Sequence, residues 1–332
     1  MPQKRKNLEA VAALAKCSAS SVSRALSGSG YVSEKLRAKI RAAADKCGYR
    51  RNEPLSRAMS AVRTSRPNIE TVAFVNTKSV RDVSKSYSAI ARYVAAAKRQ
   101  AERLGLKVCD IWLGEKNFTP SKFEKIMSAR GIRGGIIFGH YYKDSIPENF
   151  KKVLGKFKFV SMGVRANAPV EKSVYMDRFL ITRGFTERII RAGYRRVGFV
   201  VERFADTYEN GKFSGGFLRA QLACKNMRPI PPLFFGRDEK GNLKRLADYI
   251  NRYSPDAVFS YSTDISDIIE SADLRPSKKP KFFHYDERYF SPETGAIKNQ
   301  SEVGKLAVQT LAEILRGYAA PVAETAIEPK WK

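Results

Sequence analysis

The sequence predicts an N-terminal all-α headpiece followed by an α/β core of two doubly wound subdomains, and three observations predict it. Up to Tyr49 the chain carries three short apolar stripes at helical spacing with tight breaks between them. From Thr71 onward short apolar runs alternate with helical stripes, the rhythm of βαβ units and therefore of a parallel sheet covered on both faces. A second such series begins near Val197, and 332 residues are enough to bury two ordinary cores beside a headpiece.

The headpiece is organised around Ser18-Ala19-Ser20-Ser21-Val22-Ser23-Arg24-Ala25-Leu26. Val22, Ala25 and Leu26 form the apolar stripe of a short helix, while Ser20 and Arg24 lie four residues apart on the opposite face. Ser18 stands where an N-cap is needed, and Gly28 and Gly30 follow as breakers. The preceding helix places Leu8, Val11, Ala12 and Ala15 on one side, with Asn7 as its cap and only Lys16-Cys17 as a turn, the spacing of a helix-turn-helix. A third helix, capped by Ser33, repeats Leu36, Ile40, Ala43, Ala44 and Cys47 and stops at Gly48.

Four stretches, Leu8-Glu9-Ala10-Val11-Ala12, Ser18 to Arg24, Gly28-Ser29-Gly30-Tyr31-Val32-Ser33-Glu34-Lys35 and Gly48-Tyr49-Arg50, resemble the headpiece of the lactose/galactose repressor family. The resemblance implies a DNA-binding transcription regulator, a repressor working as a homodimer on a near-palindromic operator. It implies DNA contacts by Asn7, Ser18, Ala19, Ser20, Ser21, Arg24, Ser29 and Tyr31, with Ala19, Ser20 and Arg24 at base edges in the major groove. One departure stands out. The family usually has glycine where this chain has Lys16, so a non-glycine residue is expected in a left-handed conformation there.

Composition sets wider bounds. No apolar run approaches the roughly 20 residues of a membrane span, and Met1 to Lys6 lacks the apolar segment of a secretory signal, so a cytoplasmic protein with no membrane partner is expected. Cys17, Cys47, Cys109 and Cys224 have no metal-ligand spacing; buried free thiols and a redox role are the two readings, and neither a metal nor a cofactor is expected. The net charge of +28 attracts polyanions. Residues 1–68 hold 15 Lys+Arg against 4 Asp+Glu, a net +11, which leaves +17 for the remainder. The second share fits an anionic effector, additional non-specific DNA contact, or a generally basic surface.

Residues 1–51 are thus read as the headpiece, 52–68 as hinge helix and linker, and 69–332 as the core. Within the hinge, Leu55, Met59 and Val62 share a stripe. In the family this segment orders on DNA and inserts an apolar side chain into the minor groove, which makes Met59 the candidate wedge. Counted from Tyr49 it lies one residue beyond the family's leucine, and packing against a second hinge or the core is the alternative.

The core's first series is Thr71 to Val75, a helix from Tyr87 to Leu104, and strands at Lys107 to Leu113, Gly135 to Phe138 and Phe157 to Met162. Its second has strands at Val197 to Val201, Leu233 to Phe235, Ala257 to Tyr261 and Lys281 to Tyr285, with helices at Thr182 to Ala192, Phe217 to Lys225 and Leu243 to Tyr253. Val303 to Arg316 is a last helix and Thr325 to Glu328 a last strand. The resemblance continues through Ala192 to Phe199, Pro255 to Phe259, His284-Tyr285-Asp286 and Val303 to Val308. It implies a core similar to periplasmic sugar-binding proteins, crossing three times between subdomains around a cleft. The crossings are expected near Gly163, Thr294 and Gly317, giving subdomain 1 at about 69–163 and 295–317 and subdomain 2 at about 164–294 and 318–332.

Asp264 and Asp286 match acidic cleft positions of the family. The arginine that usually precedes a Gly-aromatic pair by three residues falls on Phe213 when Gly216-Phe217 are aligned, with Lys212 one residue out of register, and a common acidic position falls on Gly163. A typical sugar would therefore leave buried hydroxyls without partners. The expected effector, if the protein uses one, is less hydroxylated, partly aromatic or anionic, held by Tyr87, Tyr141, Tyr142 and Phe213 beside Asp264 and Asp286. Rival functions are an enzyme, a transporter's solute-binding protein, and an effector-independent or weakly specific basic DNA-binding protein. His140 and His284 are the only histidines, without a nucleophile motif or phosphate loop nearby, so no enzyme is expected.

Overall fold

The computed structural model describes residues 8–27, 32–49, 70–83, 88–140, 146–166, 168–225, 227–236, 239–260, 279–284, 294–318 and 322–331. Among the sequence-derived expectations, Asn7, Ser29, Tyr31, the hinge with Met59, Tyr87, Tyr141, Tyr142, Asp264 and Asp286 lie outside them. The chain forms two compact units, Met1–Asn68 and Ile69–Lys332.

In the first unit, helices α1 (Leu8–Ala15), α2 (Ala19–Ser27) and α3 (Glu34–Lys46) pack around Val11, Ala15, Val22 and Ile40, each fully buried. Lys16 adopts φ 51°, the left-handed conformation expected of it. The Cys17 amide then closes α1 by donating to the Ala12 carbonyl at 3.0 Å. Ser33 is the N-cap of α3, but its hydroxyl makes no capping bond; its carbonyl accepts from the Arg37 amide instead. Cys17 and Cys47 are half-buried at the margin of this core, not enclosed in it.

The second unit contains two parallel sheets. Strands β1 (Thr71–Asn76), β2 (Lys107–Trp112), β3 (Gly134–Phe138), β4 (Lys158–Met162), β5 (Lys172–Met176) and β10 (Glu324–Ile327) form the first, in the order β10-β5-β4-β3-β1-β2. Its near-continuous apolar strands are covered on one face by α4 (Ser88–Arg103) and α11 (Ser301–Leu315), and on the other by α5 (Pro120–Ala129) and α6 (Glu148–Leu154). Strands β6 (Val197–Glu202), β7 (Leu233–Phe235), β8 (Ala257–Ser260) and β9 (Lys281–His284) form the second sheet, in the order β7-β6-β8-β9. Helices α7 (Arg178–Arg191), α8 (Arg203–Tyr208) and α9 (Lys212–Leu222) pack on one face of it and α10 (Glu239–Tyr253) on the other.

Helices α4 and α11 touch backbone to backbone at Gly304. A Cβ there would lie 2.1 Å from the Tyr93 carbonyl oxygen and 2.8 Å from the Ala97 amide nitrogen, so only glycine permits the approach.

Two of the three crossings differ from expectation. Strand β5 pairs with β4 and β10 in the first sheet, so the first crossing lies at Asp177 and not near Gly163. Asp177 fixes it twice, because its amide donates to the Ile327 carbonyl at 2.9 Å and its carboxylate caps α7 at the Leu180 amide, 3.0 Å away. The last crossing likewise falls beyond Ile327 and not at Gly317, because β10 completes the first sheet before the chain leaves it. The second crossing reaches the first subdomain by Ile297, which belongs to its core. Residues on either side of these passages bond to each other: Ile297 bridges Trp331, and the Lys298 amide donates to the Lys330 carbonyl at 2.7 Å. Trp331 packs on the cores of both subdomains.

Candidate nucleic-acid interface and core cleft

Helix α2 divides its surface sharply. Val22 and Ala25 are buried, whereas Ala19, Ser20, Ser23 and Arg24 are exposed. The Ser18 hydroxyl accepts from the Ser21 amide at 3.2 Å, so the start of the helix is fixed by a side-chain cap. The same hydroxyl lies 2.9 Å from those of both Ser20 and Ser21, a small cluster of donors and acceptors at the helix N-terminus. Arg24 Nε donates to the Ser20 carbonyl at 3.4 Å, which lays the side chain along the exposed face. Ser18, Ala19, Ser20, Ser21 and Arg24 therefore stand together on one short, polar, cationic surface. The amides of a helix N-terminus and a nearby guanidinium are donors of the kind that phosphates and base edges accept.

In the core, the carboxyl ends of parallel strands are where α/β sheets bind ligands. Lys78, His140 and Ser161 meet there, at the ends of β1, β3 and β4, and all three are buried. Ser161 Oγ donates to the Val164 carbonyl at 2.6 Å and must therefore accept from His140 Nε2, 2.9 Å away. This assigns the Nε2–H tautomer and leaves Nδ1 buried without a hydrogen-bond partner among the described residues. Burial, with the Lys78 ammonium nearby, pushes His140 down to about 4, so the ring is neutral at physiological pH. The serine proton is committed to a carbonyl, so this pair is not arranged as a nucleophile and its base.

A second polar group joins the subdomains beside β5. Glu324 of β10 receives Arg165 Nε at 2.5 Å and the Tyr175 hydroxyl at 2.6 Å. From the second subdomain, Lys212 Nζ donates to the Tyr175 hydroxyl at 3.0 Å and the Tyr208 hydroxyl donates to the Arg165 carbonyl at 2.6 Å. Arg178 reaches back to the Gly163 carbonyl at 3.1 Å. Glu209 is 1% exposed, and neither of its carboxylate oxygens has a hydrogen-bond partner among the described residues. Its burial raises the carboxyl above the usual range, against the opposing pull of Arg178 and Lys212.

Phe213, expected as a cleft wall, is 3% exposed and packs in the core of the second subdomain with Phe185 and Phe217. It falls in the first turn of α9, which begins five residues earlier than its apolar stripe suggested, and its ring turns toward the sheet. Lys212, the residue before it, points instead to the Tyr175 hydroxyl. Sequence reasoning missed Arg165, Tyr175, Tyr208, Glu209 and Glu324, because the partners are separated by as much as 149 residues and no local spacing links them.

A 680 Å³ cavity lies away from this junction, lined by Asp110 and Trp112 of edge strand β2 together with Arg81 and Lys98. Among the described residues no cluster of His, Cys, Asp and Glu is arranged to hold a metal, and no helix is long and apolar enough to cross a membrane.

Residues 7–52 match the family model described as bacterial regulatory proteins, lacI family. No curated protein matches by sequence. Solved structures are similar in fold. A transcriptional regulator CelR–cellobiose complex superposes with TM-score 0.59 at 18% identity, covering 98% of both chains. The transcription regulator CcpA of Lactococcus lactis does so with TM-score 0.57 at 13% identity, over 79% of this chain and 96% of that one. The lac repressor dimer bound to operator and the anti-inducer ONPF gives 0.54 at 18% identity, over 98% and 97%. Residues 7–52 are thus a headpiece of the lacI family of bacterial regulatory proteins, joined to a core that shares the fold of these solved regulators.

Proposed function

We propose that the protein is a repressor that binds a near-palindromic operator as a homodimer, with α2 of each headpiece in the major groove. The observation that carries this reading is the bare face of α2, where Ala19, Ser20 and Arg24 are exposed while the opposite stripe closes the headpiece core. One such face spans only a half-site, so a two-fold pair of subunits matches a two-fold operator. The lac repressor that shares the fold is a dimer on its operator, which supports the assembly. Asn7, Ser18, Ser21, Ser29 and Tyr31 supply backbone contacts, and Met59 the minor-groove wedge.

Arg24→Ala is expected to weaken binding to a duplex selected from a random pool by about 1 to 3 kcal/mol, the range of a direct base contact. Affinity for an unselected duplex at the same salt should fall much less. A variant that keeps the full preference for the selected site would remove α2 from base reading. The same pair of duplexes separates a specific regulator from a weakly specific basic binder, since the latter shows little preference even in the native protein.

The core is proposed to sense a small molecule near Asp264, Asp286, Tyr87 and Tyr141. Cellobiose occupies the CelR complex, but here Gly163 supplies no side-chain partner and Lys212 is engaged with Tyr175. A ligand with fewer hydroxyls than a sugar fits better. Titration calorimetry with neutral hexoses and pentoses is expected to show no micromolar binding; such binding, abolished by Asp286→Ala, would overturn this assignment.

A further inference from the structure

We propose that the core is held shut by its own side chains, through a latch beside β5 and β10 that performs the bridging a bound effector would otherwise perform. This deepens the reading of the core as the switching half of the regulator and rests on it.

The latch has two halves. On the first subdomain, Arg165, Tyr175 and Glu324 form one hydrogen-bonded unit, whose centre, Tyr175, is 1% exposed. On the second, Tyr208 and Lys212 each reach across to that unit, Lys212 Nζ also lying 4.8 Å from the centre of the Tyr175 ring. Arg178, the first residue of α7, adds a third contact to Gly163. Any rotation of one subdomain against the other about the crossings must break these contacts. A ligand changes such an equilibrium only by preferring one arrangement. Where the chain already bridges its two halves, the closed arrangement is populated without a ligand, and an effector gains influence by competing with the latch.

Glu209 opposes the latch. Closed, its carboxylate is removed from water with no hydrogen bond from the described residues to replace the lost hydration. It faces Arg178 of α7, Lys212 of α9 and Arg165 of the first subdomain, which favour its charge, and Glu324 of β10, which disfavours it; burial outweighs them. Opening would rehydrate it, so Glu209→Gln should tighten closure.

The test uses the full chain without DNA, so that it is independent of operator recognition. Nitroxide labels are attached through a non-cysteine handle at exposed Lys125 on α5 and Arg245 on α10, and their separation is read by pulsed dipolar spectroscopy. The native protein should give one dominant population. Lys212→Met combined with Tyr208→Phe should raise a second, displaced population by about tenfold, the effect of losing one or two net hydrogen bonds. Tyr208→Phe alone removes a single hydroxyl and serves as the smaller step if the double variant does not fold. Glu209→Gln should show no displaced population. An unchanged distribution in the latch variants, or a displaced population in Glu209→Gln, overturns the proposal.

Discussion

Gly304→Ala is expected to destabilise the core by about 3 kcal/mol, at the upper end of the cost of overpacking. The added methyl meets the Tyr93 carbonyl oxygen and the Ala97 amide, and both belong to the backbone of α4, so no side chain can rotate away. Relief requires moving two helices that share Ala97, Ala101, Val303 and Ala307 in one core. The intrinsic helical advantage of alanine over glycine, about 1 kcal/mol, offsets only part of this. Gly215 in α9 is the control. A Cβ there would meet nothing closer than 3.6 Å, so Gly215→Ala should leave stability unchanged or raise it by up to about 1 kcal/mol. Urea unfolding of both variants checks the contrast. Equal midpoints would mean that α4 and α11 separate at little cost.

The second large effect is on acid stability. His140 titrates at about 4 in the folded protein against 6.5 when solvated. Its neutral ring therefore contributes stability that is fully present above pH 6.5 and is lost as pH falls toward 4. The linkage amounts to about 2 kcal/mol by pH 5 and about 3 kcal/mol below pH 4. Carboxylates titrate in the same range, so the measurement is a difference: urea unfolding free energies of native protein and His140→Asn from pH 7 to pH 4. The native curve should fall more steeply by that amount. Parallel curves would mean that the imidazole is hydrated in the folded state. Glu209 has the opposite sign, since a raised carboxyl contributes most below its solvated value and loses that contribution as pH rises through the folded one.

Much of this architecture is written locally. Each headpiece helix carries its own stripe and stop, and the left-handed Lys16 follows from the lack of room for any other turn between α1 and α2. The strands β1, β3, β6 and β8 were legible because burial on both faces demands uninterrupted apolar runs. Strand β5 was not, since Lys172-Ser173-Val174-Tyr175-Met176 mixes polar and apolar residues near one edge of its sheet. That omission displaced the first crossing by over a dozen residues. Phe213 was misplaced for another reason: matching a family position fixes an alignment, not the direction in which a ring points from a helix. The junction of Arg165, Tyr175, Tyr208, Lys212 and Glu324 is a tertiary product with no local signature.

The pairing of β10 with β5 also orders the assembly of the molecule in time. The sheet of β6 to β9 is built wholly from residues 197–284 and has all of its strands available once that stretch has left the ribosome. The sheet that begins with Thr71 lacks an edge strand and one covering helix until residues 301–327 have been made. Such long-range closure is slow, and the unfinished edge of β5 is open to pairing with other chains while it waits. The half of the core that starts later in the sequence can thus mature first, and the half that starts first remains dependent on the last strand to be synthesised.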